Sequence, residues 1–132
     1  MSEDLDLVRS ILADWERGDF SSAEWAHPEI EYTMAGALEP GSWNGTPAMA
    51  RRWGQWLSAW ESLRVEPDEY RMLDGERILV LVRTIGRGKA SGVDMQTVAK
   101  GAVLFCVRDH KVVRLVQWWD REPAFADLGL EE

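Results

Sequence analysis

Apolar positions in the first half of the chain recur mainly at helical intervals, whereas after residue 65 they alternate or run together as they do in strands. Over residues 4–17, Leu5, Val8, Leu12 and Trp15 form one stripe with Ile11 beside it, which predicts an amphipathic helix. Glu3, Asp4 and Asp6 crowd its start, where the helix dipole favours acids, and Gly18 supplies a stop. Ser21 and Glu24 have the spacing of a capping box for a short second helix. His27-Pro28 ends that helix, because the residue before a proline avoids the helical region. Residues 29–35 alternate and predict a strand, and 36–45 reads as a loop containing Trp43. Thr46-Pro47 then opens a helix, threonine as cap and proline at the first turn. This helix is expected to reach residue 62, with Met49, Trp53, Trp56, Leu57 and Trp60 as its apolar stripe.

Strand patterns follow at 65–73, 76–86, 93–108 and 112–120. Asp74-Gly75 is a tight hairpin signal, 87–92 is a loop with two glycines, and Asp109-His110-Lys111 is a turn. A helical turn is expected around 123–130. Helices early and antiparallel strands late indicate an α+β fold in which a curved antiparallel sheet wraps a long helix. A length of 132 residues suits one domain, 1–132, with a core of its own.

Alternation decides which side chains face the helices. In 93–108, Val93, Met95, Thr97, Ala99, Gly101, Val103 and Phe105 read as inward. Asp94, Gln96, Val98, Lys100, Ala102, Leu104 and Arg108 read as outward. In the last strand, Val113, Leu115, Gln117 and Trp119 share one phase, and Val116, Trp118 and Asp120 the other. In 76–86 both phases are apolar; Leu79, Leu81, Arg83 and Ile85 are taken as inward.

Net charge narrows the partners. At −8, the chain lacks the basic face that nucleic acid or an anionic membrane requires. No apolar run approaches the roughly 20 residues of a membrane span, and MSEDLDLVRS has no signal-peptide pattern. The one cysteine, Cys106, permits no internal disulfide, so a cytoplasmic setting is expected. Two separated histidines without a ligand-spaced carboxylate pair give no metal signature, and no cofactor is expected. The eight tryptophans are the unusual feature: they either fill a bulky core or line a cavity for an apolar ligand.

Several segments together resemble the nuclear transport factor 2-like superfamily, in its SnoaL-like branch. They are the helix ending in Gly18-Asp19-Phe20, His27-Pro28-Glu29-Ile30-Glu31-Tyr32, Trp43-Asn44-Gly45 and Ser91-Gly92-Val93. Arg108-Asp109-His110-Lys111-Val112-Val113 and Trp118-Trp119-Asp120-Arg121 complete the set. The resemblance implies a cone-shaped sheet around the long helix, a pocket at its open end and a homodimer through the outer sheet face, where Trp118 would lie. It also implies that Gln117 and Trp119 point inward.

The resemblance tests three catalytic candidates, Tyr32, Gln117 and Arg83. Tyr32 stands where ketosteroid isomerases of the superfamily carry a catalytic aspartate, and with a pKa near ~10 it is a better donor than base. The two oxyanion donors of that family map onto Ile11 and Val103, both apolar. Limonene-epoxide-hydrolase-like members carry an aspartate where Gln117 stands. Arg83 matches their arginine, but Thr84 and Ile85 follow with no second carboxylate. Both acid–base mechanisms are therefore missing their residues. Arg83 either meets an anion in the pocket or faces solvent or a partner. His27 is a general base or, more simply, a turn element. Asp120 reaches the pocket rim or is a capping residue or one paired with Arg121, and Trp43 is a lid or a loop anchor.

The pocket is thus expected to be lined by Tyr32, Trp43, Trp56, Val103, Gln117 and Trp119. It would hold a small, mostly apolar or aromatic metabolite, either as an enzyme of isomerase, cyclase or hydrolase type or as a non-catalytic binding or structural homodimer.

Overall fold

The structure is a computed structural model that describes residues 3–20, 24–35, 41–58, 60–88 and 96–130; the side chains of Trp56, Gln96, Thr97 and Val98 are outside that description. Three helices and six strands follow in the order α1 (Glu3–Glu16), β1 (Ala26–Ala35), β2 (Gly41–Asn44), α2 (Thr46–Leu57), β3 (Trp60–Met72), β4 (Arg77–Gly88), β5 (Gln96–Arg108), β6 (Lys111–Trp118) and α3 (Arg121–Leu128). The strands form one curved sheet in the order β2-β1-β6-β5-β4-β3. The α+β class stands. Neighbouring strands run antiparallel except β1 and β6, which are parallel, so the sheet is not antiparallel throughout.

The inner face of the sheet closes on α1 and α2. The predicted stripe of α1 is buried at Val8, Ile11, Leu12 and Trp15. Met49 and Trp53 of α2 join it against Ile30 and Tyr32 of β1, Val80 and Val82 of β4, and Val103 and Phe105 of β5. Indole and phenyl rings make the centre. Trp15 meets Trp53 edge-on at 5.4 Å and lies 5.8 Å from Phe105, while Trp25 lies 5.9 Å from Trp53. Such pairs add to the large area that each ring removes from water.

Several boundaries differ from the sequence reading. The strand expected at 29–35 begins at Ala26, so His27-Pro28 lies inside β1 rather than ending a helix. Glu24 and Trp25 form a turn, and Ser21 lies outside the described residues. Trp43 belongs to a strand, β2, because Tyr32 and Trp43 pair across the β1–β2 ladder and their rings pack at 5.8 Å. The second long helix stops at Leu57, where the Ser58 hydroxyl donates to the Gln55 carbonyl. Trp60 instead opens β3 and pairs with Gly88, so the ladder along β4 replaces another helical turn.

The phase of β4 is also the reverse of the expected one. Ile78, Val80 and Val82 face α1 and α2, while Leu79, Leu81 and Arg83 face outward. Both phases are apolar because both faces are covered. Helix α3 lies on the outer face and buries Ala124 and Phe125 with Leu79, Leu81, Ala102, Leu104 and Trp118. The Trp118 indole donates to Asp127 at 2.9 Å, and the Arg71 guanidinium lies 5.1 Å over the Phe125 ring. Trp118 is therefore outward, as expected, but only 6% exposed beneath its own chain's helix.

Arg121 opens α3 and spans three strands. It donates to the carbonyls of Gly101 (3.2 Å) and Val82 (3.1 Å) and pairs with Asp68 at 2.7 Å. Asp120 sits at the cap position without a side-chain cap bond and leaves Arg121 to Asp68, contrary to the expected Asp120–Arg121 pair.

Gly101 is where the end of the last strand passes closest to β5. A Cβ there would lie 2.2 Å from the Trp118 carbonyl oxygen and 2.9 Å from that of Trp119. Both are backbone atoms, so neither moves without displacing the strand. Gly101→Ala is therefore expected to lower stability by about 1–3 kcal/mol, the range of overpacked cores. Urea unfolding would register it as a lower midpoint at unchanged slope; an unchanged midpoint would contradict so tight a passage.

Candidate functional site

The inner sheet face leaves a small cleft toward the C-terminal end of β6. Its volume is about 40 Å³, and its walls include Met34 of β1, Val65 of β3, Val82 and Thr84 of β4, Val103 of β5, Gln117 of β6 and Trp119. Register explains the gathering: Gln117 pairs with Met34 on one side and Val103 on the other, and Val65 pairs with Thr84. The walls are mostly apolar. Their polar side chains are the Gln117 amide, the buried Thr84 hydroxyl and the Trp indoles, and no carboxylate or imidazole lies among these described lining residues.

Tyr32 lies one layer beneath the cleft and is fully buried. Its hydroxyl donates to Gln117 Oε1. Trp53 meets the ring edge-on at 6.0 Å, and its indole N–H comes near the Tyr32 oxygen without completing a hydrogen bond. Burial raises the phenol well above its ordinary range; the nearby Trp53 N–H and the Arg52 charge only partly offset this. Tyr32 is therefore neutral at any physiological pH, a hydrogen-bond donor and never a base.

The structure brings Tyr32, Gln117, Val103 and Trp119 together and separates the rest. Trp43 packs on the Tyr32 ring, with the Arg52 guanidinium 5.4 Å from it, and is not among the cleft's lining residues. The Trp56 side chain lies outside the description. Arg83 lies on the outer face, 2.7 Å from Asp68 and 3.4 Å from Glu66, so it is not placed to act with Tyr32 and Gln117. Its strand phase follows from α3, whose burial of Leu79 and Leu81 fixes that set outward. His27 accepts from the Glu29 backbone N–H at 3.0 Å, a local turn contact. Cys106 lies on the outer face, half-buried, and burial pushes its thiol up, away from nucleophile character.

Thr84, Val82, Val65 and Met34 were not foreseen as lining residues. The β-branched set Ile78, Val80, Val82 and Thr84 carried the signal for β4, since such residues favour a packed strand face.

A SnoaL-like domain model matches residues 8–115. The chain belongs to the SnoaL-like domain family. No curated protein sequence matches it. Solved structures share the fold of this SnoaL-like protein at low identity. TerC, crystallised with polyporic acid, is 18% identical over 96% of this chain and 98% of that one, with a TM-score of 0.73. A protein from Jannaschia sp. CCS1 assigned as a SnoaL-like polyketide cyclase is 14% identical over 86% and 83%, at 0.70. A ketosteroid isomerase-like fold from Catenulispora acidiphila DSM 44928, solved with trimethylamine, is 12% identical over 99% and 96%, at 0.72.

The buried phenol links this site to stability at alkaline pH. An unfolded tyrosine ionises near ~10, and folding raises Tyr32 above that. Its contribution is intact below about pH 10 and falls as the pH climbs further, because the unfolded chain loses the proton first. Tyr32→Phe is expected to cost about 1 kcal/mol at neutral pH, by stripping Gln117 Oε1 of its donor. It should also flatten the stability loss between about pH 10 and 11, leaving a residual slope from Tyr70, which burial also raises. Urea unfolding at both pH values checks this, and equal alkaline slopes in the two proteins would rule it out.

Proposed function

We propose that this SnoaL-like protein binds a small, uncharged, mostly apolar metabolite at the Gln117 cleft. The observation that carries this is a cleft with apolar walls whose ligand-facing amide is held by a neutral, buried tyrosine. A charged ligand would lose its hydration there with no opposite charge among the described lining residues to replace it. Similarity to TerC, crystallised with polyporic acid, and to the assigned polyketide cyclase supports oxygenated aromatic or polyketide-like ligands.

The cleft is far smaller than the roughly 300–1,000 Å³ of ordinary ligand sites. On this reading, room for a metabolite would be made by Trp119, a partly buried lining residue, turning outward. An isomerase- or cyclase-type reaction is the second reading, favoured by the Tyr32–Gln117 hydrogen bond. An amide held in place can polarise a substrate carbonyl without giving or taking a proton. A homodimer, which the family resemblance leads one to expect, must use a surface other than the part of the outer face under α3. A cytoplasmic setting is part of this proposal, in keeping with the acidic, signal-free N-terminal sequence; among the described residues no helix is long and apolar enough to cross a membrane.

Titration with neutral ketones, quinones, terpenoids and polyketide-like aromatics should quench tryptophan emission, while quaternary amines should leave it unchanged. Trp119→Ala should tighten binding of the bulkier members severalfold by widening the mouth. No response from any neutral compound, in wild type or in Trp119→Ala, would end this reading.

A further inference from the structure

We propose that Gln117 selects the ligand by presenting its amide nitrogen, so that the bound molecule must offer a hydrogen-bond acceptor, and that Tyr32 is the positioning residue that fixes this orientation. The inference deepens the proposed function and rests on its placing the ligand at this cleft.

A glutamine amide has one accepting and one donating end, and either can face a ligand. Here the choice is made from beneath. The Trp53 indole is a donor only, it is buried, and its N–H stands near the Tyr32 oxygen with no partner of its own. That N–H crowds the Tyr32 oxygen without bonding to it, and the Tyr32 hydroxyl itself donates to Gln117 Oε1. The accepting end of the amide is taken, and Nε2 with its two hydrogens is left for the cleft. The reverse orientation would put a second donor against the Tyr32 oxygen and leave the buried phenol proton without its acceptor, which is costly in a low-dielectric interior.

Strand register strengthens the argument. Gln117 sits between Met34 and Val103, two apolar neighbours that give its amide nitrogen no competing acceptor side chain. Thr84, across the cleft on β4, is the other non-aromatic polar side chain on the described walls, and a hydroxyl can donate as well as accept. Matching ligands carry a carbonyl, quinone or ether oxygen at one end and hydrocarbon elsewhere. A hydrocarbon of the same shape fits the walls but leaves the amide unpaired. An alcohol meets the amide through its oxygen only by giving its own proton elsewhere.

The test compares cyclopentanone with its hydrocarbon isostere methylenecyclopentane in ¹⁵N-labelled protein, because a glutamine side-chain NH₂ gives its own cross-peaks. In the wild type, the ketone should shift the Gln117 side-chain pair and bind about tenfold more tightly than the isostere, the value of one well-made hydrogen bond. Gln117→Leu should keep hydrocarbon binding and lose the ketone preference. Tyr32→Phe should also keep hydrocarbon binding while the preference drops to about twofold or less, because the amide is then free to turn; a merely structural role for Tyr32 would weaken both probes alike. Equal binding of ketone and isostere by the wild type, or a ketone preference that survives in Gln117→Leu, would overturn the inference while leaving the binding site in place. Binding of neither probe would overturn the site and the inference together.

Discussion

The passage of β6 over Gly101 sets the rest of the architecture. With no side chain at 101, the carbonyls of Trp118 and Trp119 come within 3 Å of the space a Cβ would occupy. That closeness lets the chain leave the sheet immediately after β6. Arg121 then reaches back to the Gly101 and Val82 carbonyls and to Asp68, and α3 is laid over the outer face. The same passage assigns the two adjacent tryptophans. Trp118 goes outward under α3, and Trp119 goes to the rim of the inner cleft beside Gln117. Cleft and outer cover are thus two consequences of one backbone contact.

Packing inside the cone works against cavity volume. Trp15, Trp25, Trp53 and Phe105 pack ring on ring between α1, α2 and the sheet, and together bury much of the chain's aromatic surface. Each large ring that stabilises the domain takes up space a ligand would need. What remains lies above the aromatic layer, where side chains shrink to Val65, Val82, Thr84 and Val103. Core or cavity is therefore decided by depth: the Trp15, Trp25 and Trp53 rings fill the bottom, and smaller side chains with Gln117 and Trp119 line the top.

Fold class, helix α1 and the four late strands were legible in the sequence from local periodicity and from turns with specific chemistry, whereas the inward phase of Gln117 and Trp119 came from the family resemblance, since alternation alone only separates the two phases. The phase of β4 was not, because α3 covers its outer side and makes both phases apolar. Nor was the end of α2, where pairing of Trp60 across to Gly88 replaces further helix. Tyr32 and Gln117 were singled out separately, and their hydrogen bond links residues 85 positions apart. The role of Trp53 was hidden for the same reason: a helical stripe marks a residue as core and says nothing of where its N–H points.

The hydrogen bond from Tyr32 to Gln117 gives the site a direction without giving it a charge. A carboxylate in the Gln117 position would bring a proton to exchange, a pKa to tune and a counter-ion to find in an apolar cone. An amide brings a dipole, here with its oxygen accepting from the Tyr32 hydroxyl. Such a dipole cannot abstract a proton, but it does not vary with pH across the physiological range, since the phenol beneath it is held neutral by burial. With an amide and a neutral phenol rather than a carboxylate, this point of the fold offers a hydrogen-bonding dipole and no group that exchanges protons at ordinary pH.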